Sequence, residues 1–417
     1  IHGYRSFHEP KLPKDETLQK VLAGEGGADP WTEPSGKRLR LGLVGHFIKK
    51  PDKQNPAYVC RHYRLRRDLY HQRRALIAVS RHYPHLRRYL TGFDCAANEL
   101  HAGPEVFAPL YRQLRFDRQD NFTYHVGEDF IHLLSGIRAV YEALTFLGLR
   151  SGNRIGHGSA IGIDPGLWRE VMGRNVVMTR QDRLDDLTVV RRLLLEANGG
   201  TALLPLIDSE ISILSRAIYD QSHPPDLLYE AWSLRHLDPL CLYRMGGRIN
   251  IMDDALTAEF DLFDTEKTSN PAAFDLFRRY HSPETIEKGR KLAVIDSTKE
   301  KLSDELLTRL QDHVLGEIGR RGVVIETLPT SNVRISVYQN YSQHHVFRWL
   351  GLTGDSPPVD VVVGSDDPGI FSTNLRNEYE HLLRELSVKC APPRRNPLDF
   401  LEGLITNGKT YRFRQVP

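Results

Sequence analysis

The chain has 417 residues, 40% of them hydrophobic, enough to bury one large core or two ordinary ones, which excludes a small disulfide-stapled scaffold. Lys and Arg number 56 against 53 Asp and Glu, and a net charge of +3 singles out no class of partner, so only the distribution of charge is informative. Cys60, Cys95, Cys241 and Cys390 form no C-x-x-C pair, which suits a reducing compartment. No stretch resembles a signal peptide or an apolar span of about 18 residues, so a soluble cytoplasmic protein with no membrane association is expected. The first residue is Ile1 rather than Met, and upstream sequence is expected.

Residues 1–37, which include GEGGADPWTEPSGK, are Gly- and Pro-rich and read as a loop-rich segment. The first strand-like run is RLRLGLVGHF (38–47). From Arg61 to Arg88 follow nine arginines and a single acid, Asp68, over the helical pattern DLYHQRRALIAVSRHY. A solvated helix face outweighs nucleic acid or nucleotide phosphates as the reading of that run. The next strand-like runs are RRYLTGFDCA (87–96), NFTYHVGE (121–128) and NRIGHG (153–158), and the helical pattern DFIHLLSGIRAVYEALTFLG follows the second of these three. About 165 residues then separate Gly158 from Gly322, far more than one βα-loop and helix require. DDLTVVRRLLLEA, DSEISILSRAIYDQ, PDLLYEAWSLRHL and PAAFDLFRRYHSPETIEKGRK carry helical periodicity within it, followed by SDELLTRLQDHVLGEIGRR. The last two strand-like runs are GVVIETLPTSN (322–332) and VDVVVGSDDPG (359–369), and NLRNEYEHLLREL closes the pattern.

Strands alternating with helices predict a parallel sheet wrapped by helices. Reactive residues at six separate strand ends favour an α/β fold of the (β/α)8 TIM-barrel type over a doubly wound sheet, whose chemistry gathers at one switch point. Six strands are two short of eight, and the first two are expected before residue 38. The predicted organisation is therefore a loop-rich segment (1–37), barrel strands three to six (38–165), a helical insertion (166–298), and barrel strands seven and eight with C-terminal helices (299–417). The insertion is expected to cover the barrel mouth or to form an oligomer contact.

Four clusters stand at strand ends: His125 with Glu128, His157, the TLPTSN turn, and Asp366 with Asp367. Asp-Asp-Pro after a strand is also an ordinary helix cap, and a single strand-end His is commonly a hydrogen-bonded structural residue. Together, imidazoles and carboxylates are the ligand types of a Zn²⁺ or similar site that activates water, with neighbouring groups moving protons.

TYHVGED resembles the H-A-G-E motif of the adenosine deaminase family, NRIGHG its R-I-G-H-G, LPTSN its C-P-x-S-N, GSDDPG its S-x-D-D-P, and LTGFDCAANE its V-x-G-x-D-L-A-G-x-E strand. The resemblance runs from about residue 38 to 158 and from 300 to the C-terminus. It implies a zinc-dependent hydrolytic deaminase converting adenosine or an adenine nucleotide to its inosine form. His125 and Asp366 become zinc ligands, and Glu128 the proton donor to purine N1. His157 becomes the imidazole that orients or deprotonates the attacking water, and Asp367 the carboxyl group that meets water or purine N7. The family also needs an H-x-H pair on its first strand; none of the 18 histidines has that spacing, so two further ligands are expected upstream of Ile1. Ala97 replaces a family glycine whose backbone N–H meets the purine; Ala97 retains that N–H but adds a methyl group to the pocket. Asp94 and Glu99 are read as holding strand and helix ends, Ser331 and Asn332 as fixing a turn, and His46 as a less favoured pocket residue. His101, His132, His344 and His345 receive no role.

The insertion and the expected missing front further resemble the deaminase subunit of the RADAR anti-phage system, a relative that works beside an ATPase in a homo-oligomeric shell. That likeness adds ATP or dATP as substrates, with Arg64, Arg66 and Arg67 as candidate phosphate contacts. The alternatives are a degenerate barrel serving as an RNA-associated or assembly scaffold, and another metal-dependent amidohydrolase.

Overall fold

A computed structural model describes residues 42–52, 60–84, 89–197, 201–244, 254–296, 300, 302–390 and 396–413. The loop-rich segment 1–37 and the arginines at 87 and 88 lie outside the described residues.

Each of the six strand-like runs contains a strand: β1 (Leu43–Ile48), β2 (Leu90–Ala96), β3 (Thr123–Val126), β4 (Arg154–His157), β7 (Val324–Thr327) and β8 (Val361–Val363), with β5 and β6 intervening in the chain. All six pair parallel with their neighbours, β1 with β2 and then β3-β4-β7-β8. A single parallel bridge, Phe93 to Phe122, joins the two groups, supported by Phe93 N–H donating to Asn121 O at 3.0 Å. The spatial order therefore follows the chain order, as on the arc of a barrel, and apolar strands such as Val361–Val363 are buried because helices cover their outer faces. Helices follow most of these strands, among them Tyr63–His82, Pro104–Phe116, Leu133–Phe146 and Leu375–Lys389.

Between β4 and β7 the chain leaves the sheet. β5 (Asn175–Thr179) and β6 (Leu292–Asp296) pair antiparallel, Asn175 opposite Asp296, and bring the two ends of the excursion together. Helical periodicity gave no sign of this pair, which is short and half exposed. The helices Arg180–Glu196, Leu204–Tyr219, Pro225–Ser233, Asp254–Ser269 and Pro271–Tyr280 lie between β5 and β6, and Asp304–Arg321 then leads into β7.

The excursion shares its core with the helices that follow the parallel strands: Leu187, Ile211, Trp232 and Phe277 belong to the same apolar cluster as Phe107, Leu133 and Val140. Buried polar contacts fix the register between them. Arg138 Nε donates to Asp186 Oδ1 at 2.7 Å and Trp232 Nε1 to Glu142 Oε1 at 3.0 Å, while Arg112 forks onto Glu259 at 2.8 and 2.6 Å. These contacts lie on the helices that follow β2 and β3.

Much of the arginine run serves packing. Arg73 is buried and grips Asp117 through two bonds of 2.7 and 2.9 Å. Arg66, also buried, donates to Arg61 O and Glu105 O, which corrects its reading as a phosphate contact; Arg64 and Arg67 are exposed. No helix among the described residues is long and apolar enough to cross a membrane.

Glu300, just before the return helix, anchors the excursion. It accepts from Arg183 Nη1 at 2.7 Å and from His132 Nε2 at 3.1 Å, and His132 Nδ1 accepts Leu134 N–H at 3.1 Å. Burial pushes the Glu300 pKa up, but the His132 hydrogen bond and the Arg183 guanidinium outweigh it and lower the pKa to about 2. A carboxylate depressed in the folded state stabilises fully above its ordinary value of 4.5, and that contribution is lost as pH falls through about 2. Glu300→Gln should therefore lower the unfolding midpoint at pH 7, with the difference from wild type shrinking between about pH 4.5 and 2. Thermal unfolding followed across that range checks this, and a difference independent of pH would refute it.

Candidate active site

The carboxyl ends of β1 to β4 converge on a set of titratable side chains. On β2, the Asp94 carboxylate is fully buried and sits 2.8 Å from His125 Nδ1 on β3 and 3.3 Å from His46 Nδ1 on β1. Burial pushes the Asp94 pKa up, yet the His125 imidazole beside it, with help from His46 and Lys49, holds it below the usual carboxylate range. For His125 burial works downward and Asp94 upward, and the carboxylate prevails, raising the imidazole to about 9. Lys49 is buried one residue past β1; its Nζ donates to His125 O and lies 4.5 Å from the Tyr124 ring centroid.

His125 faces Gly156 across the parallel pairing of β3 and β4. A Cβ at Gly156 would stand 3.2 Å from His125 Nδ1, so glycine here leaves the ring its place. The next turn is left-handed at Gly127, with φ of 84°, and a Cβ there would meet Val140 Cγ2 at 2.8 Å. Glu99, from the loop after β2, holds this turn: its Oε2 accepts Gly127 N–H at 2.7 Å and Glu128 N–H at 3.2 Å. Burial raises the Glu99 pKa, with Lys49 opposing.

The turn delivers Glu128 to His157, the last residue of β4. Glu128 Oε1 and His157 Nδ1 are 2.7 Å apart, and the His157 and His125 ring centroids 5.0 Å apart. Asn332, from the short helix Pro329–Ile335 after β7, completes this group: its Nδ2 lies 3.1 Å from His157 Nδ1 and 3.4 Å from Glu128 Oε1. Asn332 therefore does more than fix the turn its sequence context suggests. Two groups that can each hold a proton, beside a fixed amide donor, form an arrangement suited to proton transfer at a small polar substrate.

The structure thus brings together His125, Glu128 and His157. Asp366 and Asp367 lie beyond β8, two strands further along the sheet from β4; Asp366 is half-buried, and Asp367 is exposed and begins the short helix Pro368–Phe371, its carbonyl accepting Ile370 N–H. Ala97 is exposed at the end of β2. Positive φ recurs at these ends, 78° at Ala97, 64° at His157 and 53° at Asp366, a left-handed geometry that costs a non-glycine residue roughly 1–2 kcal/mol. Lys49 and His344, which packs behind Asn332, carry no sequence motif that marks them; the one available signal was the His pair soon after the TLPTSN turn.

An imidazole whose Nδ1 is committed to a buried carboxylate presents Nε2 outward, the orientation that carboxylate–histidine–metal units use. Among the described residues no group of three or more His, Cys, Asp or Glu side chains gathers into a metal site. His125 fits such a site, and the described residues by themselves do not complete one.

Ala97 supplies a direct stability test. Because its methyl is exposed and its backbone left-handed, Ala97→Gly should stabilise the fold by about 1 kcal/mol, read as a higher denaturation midpoint. A lower midpoint would show that the methyl packs productively.

No protein-family model matches the chain. It is similar to an adenine deaminase of Rhizobium meliloti, 31% identical over 35% of this chain and 47% of that protein. It is also similar to an adenosine deaminase of Plasmodium vivax, 24% identical over 45% of this chain and 50% of that protein. A third similarity, to an aminodeoxyfutalosine deaminase of Streptomyces coelicolor, is 27% identical over 23% of this chain and 24% of that protein. The chain thus spans half or less of each of these proteins, all three of which bear deaminase names.

Proposed function

We propose that this chain is a hydrolytic deaminase of an adenine ring, carried as free base, nucleoside or nucleotide. The observation that carries the reading is the 2.7 Å contact of Glu128 with His157 at two adjacent strand ends, and the names of the similar proteins point to the same chemistry.

Replacing an amino group on an electron-poor ring needs a proton on N1 and a base for the attacking water. Glu128 is assigned to give its proton to N1 and then, as the carboxylate, to take one from the attacking water as the O–C6 bond forms, with His157 orienting that water. Glu128 next passes this proton to the amino nitrogen and takes the one on the new hydroxyl. The C6–N bond breaks, ammonia leaves, and Glu128 regains its starting proton. Lys49 and Asp94 hold the floor of this site by fixing the backbone and ring of His125. Zinc, with His125 and Asp366 among the residues that would hold it, would supply a lowered pKa for the attacking water. Asp367 and the Ala97 N–H are assigned to the purine.

The finer reading, an ATP or dATP deaminase working beside an ATPase in a homo-oligomeric shell in anti-phage defence, draws on the large helical excursion among the described residues. Exposed Arg64 and Arg67 are its phosphate contacts. Ammonia release from adenine, adenosine, AMP, ATP, dATP and an adenine-containing RNA, measured alongside zinc content, decides among the substrates. No product from any of them and no bound zinc would overturn the deaminase reading in favour of a scaffold.

Glu128→Gln keeps the shape of the site and loses the transferable proton. It should bind adenosine within about threefold of wild type while turnover falls at least ~100-fold. Turnover near wild type would remove Glu128 from its role.

A further inference from the structure

Asn332 is fully buried, and its surroundings leave its amide only one orientation. Oδ1 accepts Leu328 N–H at 3.3 Å and lies 3.2 Å from His344 Nε2. His344 is itself fixed by the backbone: its Nδ1 accepts Val346 N–H at 3.0 Å, so the proton of the neutral ring sits on Nε2 and points at Asn332 Oδ1. His344 is buried, which pushes its pKa down to about 3 and keeps the ring neutral. With Oδ1 receiving two donors, the NH₂ group must face Glu128 Oε1 and His157 Nδ1. An amide nitrogen donates and does not accept, so both of those atoms meet a donor.

We propose that Asn332, oriented by His344, is a positioning residue that fixes the hydrogen-bond polarity of the Glu128–His157 pair. A backbone N–H at Val346 sets the His344 tautomer, the tautomer sets the amide, and the amide presents N–H to both proton-carrying groups. His157 Nδ1 is thereby held as an acceptor toward Asn332 and Glu128, which leaves its proton on Nε2 and leaves the proton shared by the pair with Glu128. That is the form from which Glu128 can donate. The kinetic part of this inference rests on the deaminase reading; the tautomer of His344 and the role of His157 Nδ1 do not.

The test has two arms on the full chain. In the first, long-range ¹H–¹⁵N spectra of histidine-labelled protein, assigned with His344→Gln and Asn332→Ala, read the ring tautomers directly. The expected result is a neutral His344 with Nε2 protonated and Nδ1 unprotonated from pH 5 to 9, and a His157 Nδ1 signal that moves in Asn332→Ala. A charged His344, a proton on its Nδ1, or an unmoved His157 would overturn the proposal whether or not the protein turns over any substrate.

In the second arm, Asn332→Ala and Asn332→Asp should each lower kcat by roughly 10- to 100-fold with KM within about threefold. Asn332→Asp keeps the acceptor for His344, loses the donor and places a carboxyl group against Glu128 and His157. His344→Gln, whose amide N–H can replace Nε2–H, should keep kcat within about threefold, while His344→Leu should lose about tenfold. Equal losses in His344→Gln and His344→Leu, or an Asn332→Asp enzyme as fast as wild type, would refute the positioning role. Absence of product from wild type with the expected spectra would overturn the deaminase reading and leave the polarity assignment standing.

Discussion

Glu128 Oε1 and His157 Nδ1 meet at 2.7 Å, and nearly every local feature around them is explained by the need to hold that contact. Adjacent parallel strands set His125 beside Gly156 and Val126 beside His157, so Glu128, two residues past β3, would run on beyond its partner if the chain stayed extended. The left-handed turn at Gly127 folds it back, and Glu99 binds the two N–H groups that the turn exposes. His157 itself takes a left-handed backbone, a strain of roughly 1–2 kcal/mol. Hydrogen bonds involving charged groups are worth about 1.5–3 kcal/mol each when buried partners are matched, so the interactions around this turn outweigh the strain.

Two histidines left unassigned by their sequence context use one device. His132 and His344 each accept, through Nδ1, the N–H of the residue two positions on at a helix start, and each therefore aims a protonated Nε2 at a buried acceptor. For His132 the acceptor is Glu300, where the excursion returns to the parallel sheet; for His344 it is Asn332, at the site. A helix N-terminus has N–H groups to spare, and an imidazole that takes one loses its tautomeric freedom. Backbone geometry thereby decides the direction of a side-chain hydrogen bond some distance away, at the cost of keeping both rings buried and neutral or paired.

The six strands and the helix Asp304–Arg321 were legible because their signals are local: apolar runs of strand length, and apolar residues at helical spacing. His125, Glu128 and His157 were legible for the same reason, each standing at the end of its own run. Asn332 does fix its turn, accepting Leu328 N–H, but its second role was not legible because the partners lie 175 and 204 positions away, and nothing within its helix distinguishes an amide facing only a turn from one that also faces a site. Arg66 and Arg73 illustrate the opposite error. A dense run of like charge looks solvated, but a 20-residue helix has a buried face, and arginines on that face are buried with carbonyl and carboxylate acceptors supplied by distant segments. The β5–β6 pair escaped because five-residue strands flanked by long helices leave too weak an alternation to read.

That pair has a bearing on the site. In an ordinary βα unit a single helix carries the chain from one parallel strand to the next, and the helix length limits where the second strand can lie. Here the antiparallel pairing of Asn175–Thr179 with Leu292–Asp296 closes the excursion at its root, so Asp304–Arg321 starts as the crossover helix of an ordinary unit would. β7 then pairs directly with β4, Ile325 beside Ile155, and Asn332 arrives at His157 with no dependence on the length of what intervenes. Loop-closure entropy grows only slowly with loop length, so such a closed insertion can be long without loosening the strands it separates. The length of the excursion is thereby uncoupled from the pairing of β7 with β4, while its helices still share the core behind β2 and β3.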